Sequence, residues 1–196
     1  MTITWDATWT TGHKHTVQAA MDRIQLMLTK AMMSIHAVQR DNAARALYVK
    51  HFNNAALDKL PAVTAVVRAM HDRVAKNAIT MTFVPDLASF NALGFSLPAG
   101  VAYSNVGAFV VQSGIASGTP LTIYVGPSFF SGLVYLPKAP GDASGTGVLL
   151  HELSHGVGGT RDHAYTHSPN YKSLSAVQRV ANADSYRAYA QEFDKL

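Results

Sequence analysis

Between Thr16 and Arg40, apolar side chains fall at Val17, Met21, Ile24, Leu28, Ala31, Ile35 and Val38. Steps of four and three keep these positions on one helical face, so the pattern predicts a long amphipathic helix. Shorter helices are expected around Ala43 to His51 and Ala62 to Lys76. Their own apolar faces can cover the stripe within the chain, which reads as internal packing rather than a seam for a partner. The pattern changes at Ile79, where Ile79, Met81 and Phe83 alternate as a strand does. Val101 to Gln112 and Leu121 to Val125 are β-rich runs separated by Gly, Ser and Pro turns. From Met81 to Pro137 the only formally charged residue is Asp86. Two readings of that segment stand side by side: an interior sheet, or a cleft edge along which an extended peptide docks by strand addition. Gly141 to Gly147 forms a loop with several candidate N-caps ahead of the buried run Val148 to His155, and Gly156, Gly158 and Gly159 are expected to end that helix and turn the chain. A last helix is expected from about Ser173 to Phe193. With no repeat or linker in view, the expected architecture is one α+β domain over residues 1–196, mainly helical over 1–78, with a small mixed or antiparallel sheet in 79–196.

Composition narrows the chemistry. The 196 residues include no cysteine, so disulfides and thiolate metal sites are excluded and any metal must be held by His, Asp or Glu. A formal charge of +4 and a pI near 9.4 come from dispersed Lys and Arg without a basic run, which argues against a nucleic-acid partner. No window approaches the roughly 20 apolar residues of a membrane span, and the first residues lack the pattern of a secretion signal. The expectation is therefore no membrane partner, and either a cytoplasmic location or export by a signal-independent route. The methionines, all at or before Met81, read as core filler.

The residues that carry chemistry are His151-Glu152-Leu153-Ser154-His155. Two histidines four apart on a helix lie one turn apart on the same face, so both rings reach a single metal ion. Glu152 beside the first is placed to handle the proton of a water at that metal, the arrangement of metal-dependent peptidases. A third histidine in the spacing HExxHxxGxxH is excluded, because the sixth residue after His155 is Arg161 and no methionine follows Met81. A glutamate from a later helix could only be Glu192, whose neighbours Asp194 and Lys195 suggest a solvated helix end. Asp162 is nearer, and the glycines before it permit the necessary turn. His163 and His167 form a second pair four apart, but Ser168-Pro169 disfavours a helix there, so they read as loop histidines. His13, His15, His36, His51 and His71 read as surface or core residues.

Gly159-Thr160-Arg161-Asp162-His163-Ala164-Tyr165 directly after this motif resembles the aspzincins, the deuterolysin and peptidyl-lysine metalloendopeptidase family. The resemblance continues into Asn182-Ala183-Asp184-Ser185-Tyr186-Arg187-Ala188-Tyr189, and upstream Ile123 to Phe130 is similar to the strand and turn before that family's metal helix, where members often carry a cysteine. It spans about Ile123 to Phe193. It implies a zincin-like fold with a metal helix and a closing C-terminal helix, and one Zn²⁺ per chain held by His151, His155 and Asp162. It further implies Glu152 as general base, Tyr165 as hydroxyl donor to the developing oxyanion, and a polypeptide substrate cut internally. Two positions depart from the family. Thr166 stands where a glycine usually follows the motif tyrosine. Arg187 stands where lysine-specific members carry a glutamate that joins the aspartate equivalent to Asp184 in receiving the substrate lysine. Asp184 and Arg187 remain candidate substrate-binding residues, while the lysine preference does not carry over. The alternatives are a narrow-substrate toxin or effector protease exported without a signal peptide, and a catalytically silent zinc-binding module of the same fold. The intact Glu152 argues against the silent module, since a structural site needs ligands but no base.

Overall fold

In the computed structural model, which describes residues 3–76, 78–111, 121–131 and 144–195, a short strand β1 (Thr4–Trp5) precedes the long helix α1 (Thr11–Ala37). The helix starts ahead of its apolar stripe because Thr10 supplies an N-cap, accepting from the His13 N–H at 3.2 Å. Val17, Met21, Ile24, Leu28, Ala31 and Ile35 are all buried on it, and Val38 is buried at its C-cap. Helix α2 (Asn42–Phe52), capped by Asp41, and helix α3 (Leu60–Ala75) pack on α1, so the stripe is indeed covered from within. Met21, Met27, Met70 and Met81 are core residues, whereas Met33 is exposed.

The sheet is mixed. Strand β2 (Ile79–Phe83) runs parallel to β1 and to β4 (Leu121–Val125), and β3 (Ala108–Val110) runs antiparallel to β4, in the order β1-β2-β4-β3. Met81 faces Ile123 across the central pair and both are fully buried. The β-rich run from Val101 delivers less strand than expected: a 3-10 turn at Tyr103–Asn105 precedes the three residues of β3, and Gln112 lies outside the described residues. The Tyr103 hydroxyl donates to the Val84 carbonyl at 2.7 Å, drawing this segment across the end of β2 into an aromatic cluster with Phe90, Phe95, Phe109 and Tyr124. Asp86, the lone charge of the segment, caps helix α4 (Leu87–Ala92) by accepting from the Ser89 N–H at 2.8 Å. The interior-sheet reading holds for β2 and β4, while β3 is an edge of the sheet among the described residues.

After the short helix α5 (Ser128–Ser131) comes α6 (Gly145–Gly158), which carries the histidine pair. Its N-cap is Ser144, whose hydroxyl accepts from the Gly147 N–H at 3.0 Å; residues 141–143 of the expected loop lie outside the described residues. Gly156 and Gly158 lie within α6, not beyond it. Gly159 ends the helix with φ 60°, a left-handed conformation that glycine adopts without steric cost. The single helix expected from Ser173 to Phe193 is broken into α7 (Ala176–Val180) and α8 (Ala183–Gln191), followed by a 3-10 turn at Glu192–Lys195. The break falls at Asn182, whose extended backbone and side chain serve a loop described below. Glu192 is not solvated either: its carboxylate meets Lys50 Nζ at 2.5 Å and His51 Nε2 at 3.0 Å, tying the last turn to α2. Ile24, Phe52, Val67, Ile123, Leu150 and Tyr189 belong to one buried apolar cluster, so residues from 1–78 and 79–196 share a core. Among the described residues no helix is long and apolar enough to cross a membrane.

Candidate metal centre

Helix α6 brings the buried rings of His151 and His155 together, with their Nε2 atoms 3.0 Å apart. Asp162 Oδ1 lies 2.9 Å from His151 Nε2 and 3.3 Å from His155 Nε2. Among the described residues this is the one group of three or more potential ligands whose donor atoms converge. Asp162 reaches it because Gly159 reverses the chain and Arg161 then bridges to the segment before α8. The Arg161 N–H donates to the Ala181 carbonyl at 2.7 Å, and the Ala183 N–H donates to the Arg161 carbonyl at 3.0 Å. The buried Asn182 completes the brace. Its Oδ1 accepts from the His163 and Ala164 N–H groups at 2.9 and 3.2 Å, and its Nδ2 donates to the Ala164 carbonyl at 2.9 Å.

The outer nitrogens decide what the inner ones can do. His155 Nδ1 faces the Thr160 carbonyl at 2.8 Å, an acceptor only, so the neutral ring carries its proton there. His151 Nδ1 faces Asp184 Oδ1 at 3.3 Å with the same result. Two ring lone pairs and a carboxylate oxygen therefore point at one another and call for a cation between them. Tetrahedral Zn²⁺ with bonds of about 2.0–2.1 Å would set its ligand atoms roughly 3.3 Å apart. The observed separations run from 2.9 to 3.3 Å, meeting that spacing between His155 and Asp162 and falling a few tenths of an ångström short for the other two pairs.

Electrostatics favour positive charge among these groups, whether a proton or a metal ion carries it. Burial disfavours a proton on His151, but hydrogen bonds to the Asp162 and Asp184 carboxylates overcome it and raise the ring to about 9. His155 is raised by Asp162 and Glu152, also against burial. Burial opposes ionisation of Asp162, yet both histidines hold it well below the usual carboxylate range. Glu152 behaves oppositely. Burial lifts its carboxyl to about 7, against the pull of the two histidines and of a hydrogen bond from the Val110 backbone on β3. Tyr165 stacks on His151 with ring centroids 5.7 Å apart and on His167 at 5.6 Å. His151, Glu152, His155, Asp162 and Tyr165 all line one cavity of about 880 Å³.

Residues 37–191 match the aspzincin family, described as lysine-specific metallo-endopeptidase. The chain is an aspzincin. Its fold is similar to that of a solved zinc peptidase from Grifola frondosa, with a TM-score of 0.65 at 20% identity, covering 94% of this chain and 97% of that one. No curated protein matches it.

In this aspzincin the two departures from the family motif meet in one cluster. Arg187 Nη2 donates to Asp184 Oδ2 and to Thr166 Oγ1, each at 2.7 Å, and its Nε lies 2.5 Å from Asp184 Oδ1. The Thr166 N–H also donates to Asp184 Oδ2. Burial opposes ionisation of Asp184, but His151 and Arg187 hold it well below the usual carboxylate range. Asp184 and Arg187 line the cavity, as substrate-binding candidates must, but their polar atoms are engaged with each other, Thr166 and His151. His163 and His167 sit in irregular backbone, and neither joins the converging group. Sequence reasoning assigned no role to Thr160 or Asn182. Asn182 stands directly before a helix start, a local signal that suggests a cap rather than a brace, and Thr160 carried only its place in the family motif.

Proposed function

We propose that this chain folds as one zincin-like unit and is a zinc endopeptidase, with one Zn²⁺ held by His151, His155 and Asp162. The carrying observation is the convergence of three donor atoms whose outer partners leave only lone pairs facing inward. When bound, Zn²⁺ supplies Lewis acidity, lowering the pKa of water toward about 7 and polarising a carbonyl. Glu152, lifted to about 7 by burial, takes a proton from the attacking water near neutral pH and returns it to the leaving amine. Tyr165, across the same cavity, donates its hydroxyl to the oxygen on which negative charge develops. Asp184, clamped by Arg187, fixes the proton on His151 Nδ1 and thereby the orientation of that ligand. The substrate is a polypeptide. A silent zinc module would have no use for a carboxyl beside the ligands that is not itself one of them.

Elemental analysis should find about one zinc per chain, and Asp162→Ala should reduce it. Glu152→Gln should keep fold and zinc while turnover of a peptide library falls by about 10²- to 10⁴-fold. Full zinc occupancy in Asp162→Ala would overturn the ligand set, and near-wild-type turnover in Glu152→Gln would remove the base.

A further inference from the structure

The cavity that holds the metal ligands extends well beyond them, and its far wall is apolar. Phe95, Leu97, Val101, Val106, Phe109 and Val111 line it together with His151 and Glu152. That wall is built in advance. Phe109 stacks on Tyr124 at 4.9 Å and meets Phe90 and Phe95 at 5.2 Å, so the rings brace one another without a ligand. At the rim Val101 and Val111 are 45% and 43% exposed, apolar surface that an incoming chain would cover.

Among the described residues, charge accounting disfavours a cationic occupant. The cavity-lining carboxylates among the described residues are Glu152, Asp162 and Asp184. Glu152 is the base, Asp162 faces the two histidines, and Asp184 is saturated by His151, Arg187 and the Thr166 N–H. An ammonium that loses its water here meets Arg187 and no uncommitted carboxylate, whereas an apolar side chain loses nothing by leaving water.

The geometry points to a substrate residue with a large apolar side chain, aromatic or aliphatic, seated against this wall and flanking the scissile bond. The inference rests on the peptidase reading and narrows its substrate class.

The test digests a proteome-derived peptide library with the zinc-loaded protein and reads the residues flanking each new terminus. Phe, Leu, Ile or Met should be enriched over Lys at one flanking position by at least about tenfold. Val101→Asp, at an exposed rim position that tolerates a charge, should erase that ranking, and Val101→Leu should retain it. In parallel, matched fluorescent peptides differing only in Phe against Lys are titrated against zinc-loaded Glu152→Gln, with tighter binding of the Phe peptide expected. Cleavage with lysine favoured or with no flanking preference overturns the inference and leaves the peptidase intact, as does a Val101→Asp profile equal to wild type. No cleavage of any peptide by the zinc-loaded protein instead overturns the peptidase reading. The binding arm then decides the apolar wall by itself, equal affinity for the two peptides counting against it.

Discussion

A carboxylate left 1% exposed, as Asp184 is, persists only with partners, and His151 is one of them beside Arg187 and Thr166. Asp184→Asn preserves shape but offers the imidazole a weaker, ambiguous neighbour. The zinc dissociation constant, measured by chelator competition, should rise about 10- to 100-fold with the fold intact; an unchanged constant would reduce Asp184 to a structural charge. Tyr165→Phe removes only a hydroxyl from a ring that keeps its stacking on His151, so zinc affinity should hold while kcat falls roughly 10²- to 10³-fold. At this scale the sequence was legible where chemistry is local: His151, Glu152 and His155 share one helix, and Asp162 follows one turn of chain later. Thr166 and Arg187 looked like two separate departures from a family pattern. Only the fold, by carrying α8 back over the loop after Asp162, makes them one hydrogen-bonded pair.

Among elements, the tightest junction near the cavity is where β4 ends. The Gly126 N–H donates to the Gly107 carbonyl at 2.9 Å, and a Cβ on Gly126 would lie 2.3 Å from the Val106 carbonyl oxygen. That oxygen is backbone and cannot rotate away. Gly126→Ala should therefore cost about 1–3 kcal/mol in urea unfolding, as overpacking does. Gly12→Ala, at the start of α1 with nothing within 4 Å, should be neutral or gain up to about 1 kcal/mol. Equal effects of the two substitutions would mean the junction yields. The helices α1, α2 and α3 were readable because an apolar stripe records what covers it. The division of the last helix was not readable, because helix-forming residues run through 176–191 on both sides of Asn182. What stops the helix there is a partner loop about eighteen residues earlier.

Across the whole molecule, Glu192 joins the end of the described chain to α2. Hydrogen bonds from His51 and Lys50 hold its carboxyl at about 2, below its ordinary 4.5, despite partial burial. The folded form thus favours the ionised carboxylate. Its stabilisation is complete above about pH 4.5 and lost as pH falls through that value toward 2. Burial outweighs the pull of Glu192 and lowers His51 below its ordinary 6.5, so the folded form favours the neutral ring, and stability falls as acid below pH 6.5 charges it. Glu192→Gln should cost about 1–3 kcal/mol at pH 7, discounted for the exposed Lys50, and the difference from wild type should shrink toward zero near pH 2. A pH-independent difference would assign the loss to packing. This contact was hidden in the sequence because its partners are 141 and 142 residues apart. The brace at Arg161 and Asn182 adds a matter of timing. His151, His155 and Asp162 leave the ribosome before the asparagine that gathers them, so a growing chain exposes the donors unassembled. Ribosome-arrested chains with only residues 1–175 outside the tunnel should bind zinc far more weakly than chains that also expose 176–191, and equal affinity would show that the donors need no brace. On that expectation synthesis order acts as a safety catch, since the segment that braces the loop carrying Asp162 is made after all three donors.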